Sequence, residues 1–286
     1  MTKTDEKELT IHSTMIGEHP NSSHFFGEWL SCDDIPVDMD KKDKIHRKLL
    51  EVEGNRELAV EKLSKLIINH HIDDDRISRL EEKKKILSKY EFNEVLKTQQ
   101  LLPVMDTTKK GNATEILLAE YLQSTSNLLL LLYRLRYNPN VNQSMKGDDV
   151  LLFNTNNLTE KVIIGEAKFR TEPAKTVIEE ITKEFGKALT KPLSVTFVAS
   201  MLNLGGDKET SAKLEDLNIE IVKDNVPLIN VGLILSNHNT YRHVERNLSS
   251  SNPNFIMLSL SLQEPSKFIE DSYNLSHQIL EGDEDE

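Results

Sequence analysis

Two apolar runs, Val150–Phe153 and Val162–Ile164, stand on either side of Asn154–Thr159, a segment dense in asparagine and threonine. Two β-rich runs joined by a short turn-forming loop predict a β-hairpin, and a hairpin constrains its surroundings more than any other feature of this chain. In an antiparallel pair the start of one strand meets the end of the other. Asp148 and Asp149, directly before the first strand, therefore face the segment Glu166-Ala167-Lys168 that closes the second. Strand side chains alternate between faces, so Glu166 and Lys168 point the same way. The hairpin mouth gathers Asp149, Glu166 and Lys168. Two acids and a lysine at one sheet end can hold a hard divalent ion with a water beside it.

A surface hairpin with a charged mouth would read the same in outline, since 29% of the residues are charged. Two features separate the readings. Gly165 and Ala167 flank Glu166 and leave room for an approaching group. Adjacent aspartates repel each other unless a cation or donor compensates.

The rest of the composition narrows the class. A chain of 286 residues suggests one large domain, or one domain with a substantial extension, and 37% apolar content supplies a core. No apolar run is long enough for a transmembrane helix, and the opening MTKTDEKELT is too polar for a secretory signal. Cys32 is the only cysteine, which excludes a disulfide framework and a cysteine zinc site and fits a reducing, cytoplasmic setting. A net charge of −12 argues against broad electrostatic binding to nucleic acid. Any role on DNA needs a local basic patch or a partner.

Along the chain, Leu9–Ile16 could be a strand. His24–Trp29, with two phenylalanines and the only tryptophan, reads as core or interface, and Asp33–Asp40 as an acidic loop. From Asp40 to about Lys97 the pattern is helical: Ile45, Leu49 and Val52 repeat at helical spacing, then Leu58, Leu63, Leu66 and Ile67, with a break at Gly54-Asn55. His70-His71 followed by Asp73-Asp74-Asp75 could be read as metal ligands. It reads better as a helix end followed by an aspartate-capped helix start. Leu80–Tyr90 continues as a solvated, charged helix. Leu101–Lys110 is a linker, and Gly111–Gln123 a helix on which Glu115 shares a face with Leu118, Ala119 and Leu122. A glutamate on an apolar stripe needs a partner if it is buried; Glu120 is the competing candidate. Leu128–Leu132 leads into Tyr133–Tyr137, a possible strand that would put Arg134 and Arg136 on one face.

After the hairpin, Glu172-Pro173 starts a helix through about Thr190, with Val177, Ile178, Ile181, Phe185, Ala188 and Leu189 inward and Lys175, Lys183 and Lys187 outward. Leu193–Ser200 reads as a buried strand beside the hairpin, reached by a crossover. Asp207–Leu217 is a short helix; Val226–Ser236 and Asn254–Leu262 are strands. Asn237–Asn247, with His238, Tyr241, Arg242 and His243, is a solvated loop. Pro265–Leu280 is a terminal helix, and Gly282–Glu286 an acidic, disordered tail.

Helix with Glu115, hairpin with Asp149 and Glu166-Ala167-Lys168, crossover helix, strand: over about Lys110–Ser200 this order resembles the PD-(D/E)xK nuclease superfamily. Asp148 stands where the family name has proline, so either aspartate could be the ligand; Asp149 is preferred because it directly precedes the strand. GNATEILLAEYL, KGDD and GEAKFR further resemble the HamA family of nuclease subunits in Hachiman anti-phage defence. The resemblance implies an α/β (α+β) fold: a restriction-endonuclease-like core with a central mixed sheet flanked by helices, plus a helical N-terminal extension. Residues 1–105 would then bind a partner, 106–265 form the nuclease domain, and 266–286 a closing helix and tail. It implies a Mg²⁺- or Mn²⁺-dependent deoxyribonuclease with a HamB-like helicase partner, DNA as substrate and no membrane association.

Chemically, Asp149, Glu166 and the Ala167 carbonyl could supply three oxygen ligands to Mg²⁺, which would acidify a bound water and polarise the phosphate. Lys168 would position or deprotonate that water, or offset developing charge. Glu115 could reach the metal through water or hold a second ion. Arg170, Lys175, Lys183 and Lys187 are the DNA-contact candidates. The alternatives are a catalytically silent, nuclease-like subunit of a helicase complex, and an endonuclease of restriction or repair type.

Overall fold

In the computed structural model, residues 10–90, 100–186 and 194–281 are described. Six strands form one mixed sheet in the order β1-β2-β6-β5-β4-β3. They are β1 (Leu30–Asp34), β2 (His46–Glu51), β3 (Val150–Phe153), β4 (Val162–Phe169), β5 (Leu228–Ser236) and β6 (Phe255–Ser261). β3 and β4 are the expected antiparallel hairpin, with Val150 opposite Gly165 and Phe153 opposite Val162. β4, β5, β6 and β2 run parallel to one another, and β1 returns antiparallel on β2. The near-continuous apolar runs of β5 and β6 follow from burial on both faces, which parallel strands require.

Helices cover both faces. On one side lie α3 (Arg56–His71), α5 (Asp106–Ser126) and α10 (Pro265–Glu281), whose Leu63, Leu118 and Phe268 enter a core shared with Val231 and Leu258. On the other lie α6 (Lys175–Gly186), α7 (Val195–Leu204), α8 (Lys208–Val222) and α9 (Thr240–Asn247), built around Ile164, Ile181, Leu214 and Met257. Two short helices, α1 (Ile11–Ile16) and α2 (Phe25–Trp29), and the charged α4 (Asp74–Lys89) complete the N-terminal third. Phe26 and Trp29 are buried, as expected for that aromatic group.

Several local expectations are corrected. Ile11–Ile16 is a helix, opened by Thr10, whose side chain accepts from the Ser13 N–H. Residues 46–51 form a strand, because β2 is hydrogen-bonded between β1 and β6, with His46, Arg47 and Leu49 buried. The supposed strand at Leu193–Ser200 is α7: Val195, Val198 and Ala199 recur at helical spacing and face the core. The strand beside the hairpin is instead β5, reached through α6, α7 and α8. Thr240–Asn247 is a helix rather than a loop, with Thr240 and Val244 buried. Part of the supposed linker, from Asp106, is the first turn of α5. Lys187, Ala188, Leu189 and the acidic tail lie outside the described residues.

Candidate functional site

The hairpin register sets the site. Val150 pairs with Gly165, so Asp149 arrives beside Ala167, whose N–H donates to Asp149 Oδ2 at 2.9 Å. Glu166 and Lys168 follow on the opposite face of β4 from Ala167, and the Lys168 ammonium donates to Glu166 Oε1. The two aspartates divide their tasks. The Asp148 N–H donates to Ser194 Oγ at 2.9 Å, and the Ser194 N–H donates to Asp148 Oδ2 at 2.8 Å. Gly147 permits this approach: its φ is +112°, and a Cβ there would lie 2.4 Å from Ser194 Oγ. Asp148 is thus tied to the start of α7, and Asp149 faces the hairpin mouth.

Glu115 enters from α5 and stands with Asp149, joined to it by a residue that sequence reasoning did not assign to the site. Arg134 Nη2 donates to Glu115 Oε2 at 2.8 Å and to Asp149 Oδ1 at 3.1 Å. All three side chains are only 12% exposed. The segment expected to be a strand is a 3₁₀ turn, Arg134–Tyr137, and this geometry sends the two arginines apart. Arg134 turns into the site, while Arg136 Nε donates to the Asn69 carbonyl of α3 at 2.8 Å. Glu120, the competing acid, is engaged elsewhere, 2.7 Å from His70 Nε2. No group of three or more histidine, cysteine or acidic side chains placed to hold a metal occurs among the described residues, His70 and His71 included.

The electrostatics reflect crowded acids. Burial, then the Glu115 carboxylate, pushes Asp149 up to about 7, against the pull of Arg134, the Ala167 N–H and Lys168. Glu115 is raised by burial despite Arg134, and Glu166 by burial and by Asp149. Burial pulls the Lys168 ammonium down, but the hydrogen bond and charge of Glu166 outweigh it and hold the lysine above its ordinary value. Of the outer cations, Arg170 pairs with Glu180 at 3.4 Å and Lys175 with Glu179 at 3.3 Å, while Lys183 is exposed on the last turn of α6. Gly165 and Ala167 leave room for packing, not for a ligand: Ala167 is buried in the core, and Gly165 lies against Leu118 and Val150.

The whole arrangement sits in a chain with clear relatives. A family model described as HamA matches residues 23–275. A Bacillus cereus protein described as Hachiman protein HamA is 36% identical over 276 residues, covering 96% of this chain and 98% of the relative. A match of that length takes in both edges of the sheet, the hairpin and all four site residues, and on it the chain belongs to the HamA family.

Proposed function

We propose that this chain is a metal-dependent DNA nuclease of Hachiman-type anti-phage defence, hydrolysing phosphodiester bonds when a HamB-like helicase partner engages it. The observation that carries the reading is the meeting of Glu115, Asp149, Glu166 and Lys168 at one hairpin mouth, with three of the four acids and bases being carboxylates of raised pKa. Buried carboxylates whose pKa values are pushed up by burial and by one another are a common mark of a functional site.

The donor types suit Mg²⁺ or Mn²⁺, which take carboxylate, carbonyl and water oxygens, and in the present arrangement Arg134 bridges two of the acids instead. Each ionised carboxylate has about four lone-pair sites, and the bonds to Arg134, Ala167 N–H and Lys168 leave oxygens of Asp149 and Glu166 able to accept more. These two carboxylates, with the Ala167 carbonyl, would hold the ion, and Glu115 would act through water or on a second ion. A bound divalent ion would supply an acidified water and a polarised phosphoryl oxygen. Lys168, kept protonated by Glu166, offsets charge developing on the phosphate rather than removing a proton. Asp149 is fixed in place by the Ala167 N–H, so its orientation is set before substrate arrives.

The test is cleavage of plasmid DNA in Mg²⁺ or Mn²⁺, by the chain alone and with its helicase. Asp149→Ala, Glu166→Ala and Lys168→Ala should each abolish cutting while circular dichroism stays native. Three variants that still cut would sink the assignment. A folded complex that never cuts would favour a silent regulatory subunit.

A further inference from the structure

Arg134 does a cation's work at this site. One nitrogen, Nη2, bonds both Glu115 Oε2 and Asp149 Oδ1, while the buried Nε has no hydrogen-bond partner. A guanidinium normally spreads its donors over a carboxylate in a two-pronged fork. This one links two different acids through a single nitrogen and leaves a buried donor orphaned, which is unfavourable. Such a geometry is a compromise that a better arrangement can displace. The displacement has a destination. Arg134 also lines a cavity of about 310 Å³ shared with Met145, Lys146, Gly147, Ser194 and Phe197. That cavity offers a second cation, Lys146, and an aromatic ring, Phe197, groups that receive a phosphate and its base.

We propose that Arg134 is a resident counter-ion that competes with the divalent cation for Glu115 and Asp149, and that on cation binding it swings into the adjoining cavity to meet a nucleic-acid phosphate. Arg134 is a positioning residue in this scheme: it keeps the acids together without a metal and passes its charge to the substrate when the metal arrives. The turn that carries it is held to the C-terminal end of α3. Arg136 bonds the Asn69 carbonyl, and the Tyr133 ring stands edge-on to His70 with centroids 4.6 Å apart. The position of α3 therefore bears on how firmly Arg134 holds the acids.

The inference rests on the metal-dependent reading above, and Mn²⁺ binding separates the two. Titrating the full chain with Mn²⁺ at about pH 8, followed by electron paramagnetic resonance, should show a site lost in Asp149→Ala. Arg134→Gln should bind Mn²⁺ roughly ten-fold tighter or more, the size of one lost charge-assisted bond, and Arg134→Lys should stay near the parent. Affinity that is unchanged or weaker in Arg134→Gln overturns the competition and leaves the metal site standing. No Asp149-dependent Mn²⁺ binding in the parent overturns the metal reading itself. Because Arg134→Gln could lose its fold, the unmodified chain gives a second measurement. Arg134, 12% exposed, should react slowly with phenylglyoxal in chelator and several-fold faster with saturating Mn²⁺, read by peptide mass spectrometry. Equal rates in the two conditions would mean that the guanidinium does not move.

Discussion

Burial and the Glu115 carboxylate both penalise the charge of Asp149 and push its pKa up to about 7. The groups facing it come from three elements: Glu115 on α5, Arg134 on the 3₁₀ turn, and Glu166 and Lys168 on β4. Its folded pKa lies above the ordinary value of 3.8, so between about 4 and 7 the folded chain binds more protons than the unfolded one. This contribution to stability is complete below the unfolded pKa and is lost as pH rises to 7. Buried His46 and His71 act in the opposite sense, since burial lowers them to about 3 and about 4. A single stability curve mixes these effects; a difference curve removes the histidines and reports Asp149 together with the acids it is coupled to, Glu115 and Glu166. Urea denaturation in chelator should show Asp149→Asn gaining on the parent steadily from pH 5 to 7 and levelling above. A flat difference would show that the carboxyl is not raised.

α5 delivers Glu115, and its distance from the hairpin is set by a glycine. A Cβ on Gly165 would lie 2.9 Å from both Leu118 Cδ2 and Val150 Cβ. Leu118 is one turn beyond Glu115 on the same helix face. Gly165→Ala should cost about 1–3 kcal/mol through overpacking and push Glu115 away from Asp149, lowering the melting temperature and any Mn²⁺ affinity together. Gly111, in the same helix, meets nothing within 4 Å of a built Cβ. Gly111→Ala should stabilise by about 0.5–1 kcal/mol through helix propensity alone. Equal melting temperatures for the two variants would refute this packing account.

The same elements show what the sequence made legible. The hairpin was readable because apolar runs flank a polar turn, and β5 and β6 because their runs are too continuous for anything but a buried strand or helix. β2 misled because Ile45 and Leu49 share a helical period, whereas burial on both faces of a sheet interior also suppresses the alternation that marks a strand. α7 misled in reverse: valines and phenylalanine favour strands, yet Val195, Val198, Ala199 and Leu202 follow a helical period that tertiary packing rewards. Glu115, Asp149, Glu166 and Lys168 could be picked out by strand register and helix face. Arg134 could not, because its role depends on a 3₁₀ turn placing one arginine of a pair against acids far away in sequence.

At the scale of the whole molecule, charge sets how the proposed site would meet DNA. The chain carries 35 basic and 47 acidic residues, and its long-range field repels DNA. The cations near the hairpin do little to reverse this, because acids stand beside them: Lys168 is bound to Glu166, Arg170 to Glu180 and Lys175 to Glu179. Each phosphate contact by a free lysine or arginine would add counterion release and steepen the salt dependence of binding. With these three cations paired and a net charge of −12, the isolated chain should bind a duplex no more tightly than the micromolar-to-submillimolar range of non-specific binding, roughly 10⁻⁴–10⁻⁶ M at physiological salt. A helicase partner would then bring the DNA affinity and deliver strands to the hairpin mouth, and contact through the N-terminal third would leave the four site residues uncovered, since it supplies none of them. Fluorescence anisotropy on a labelled duplex across a salt series should show weak binding with a shallow slope for the chain alone. A tight, steeply salt-dependent interaction should appear only when the helicase is added, together with co-elution of the two proteins on gel filtration. Nanomolar, salt-resistant binding by the chain alone, with no helicase co-eluting, would rule out this division of labour.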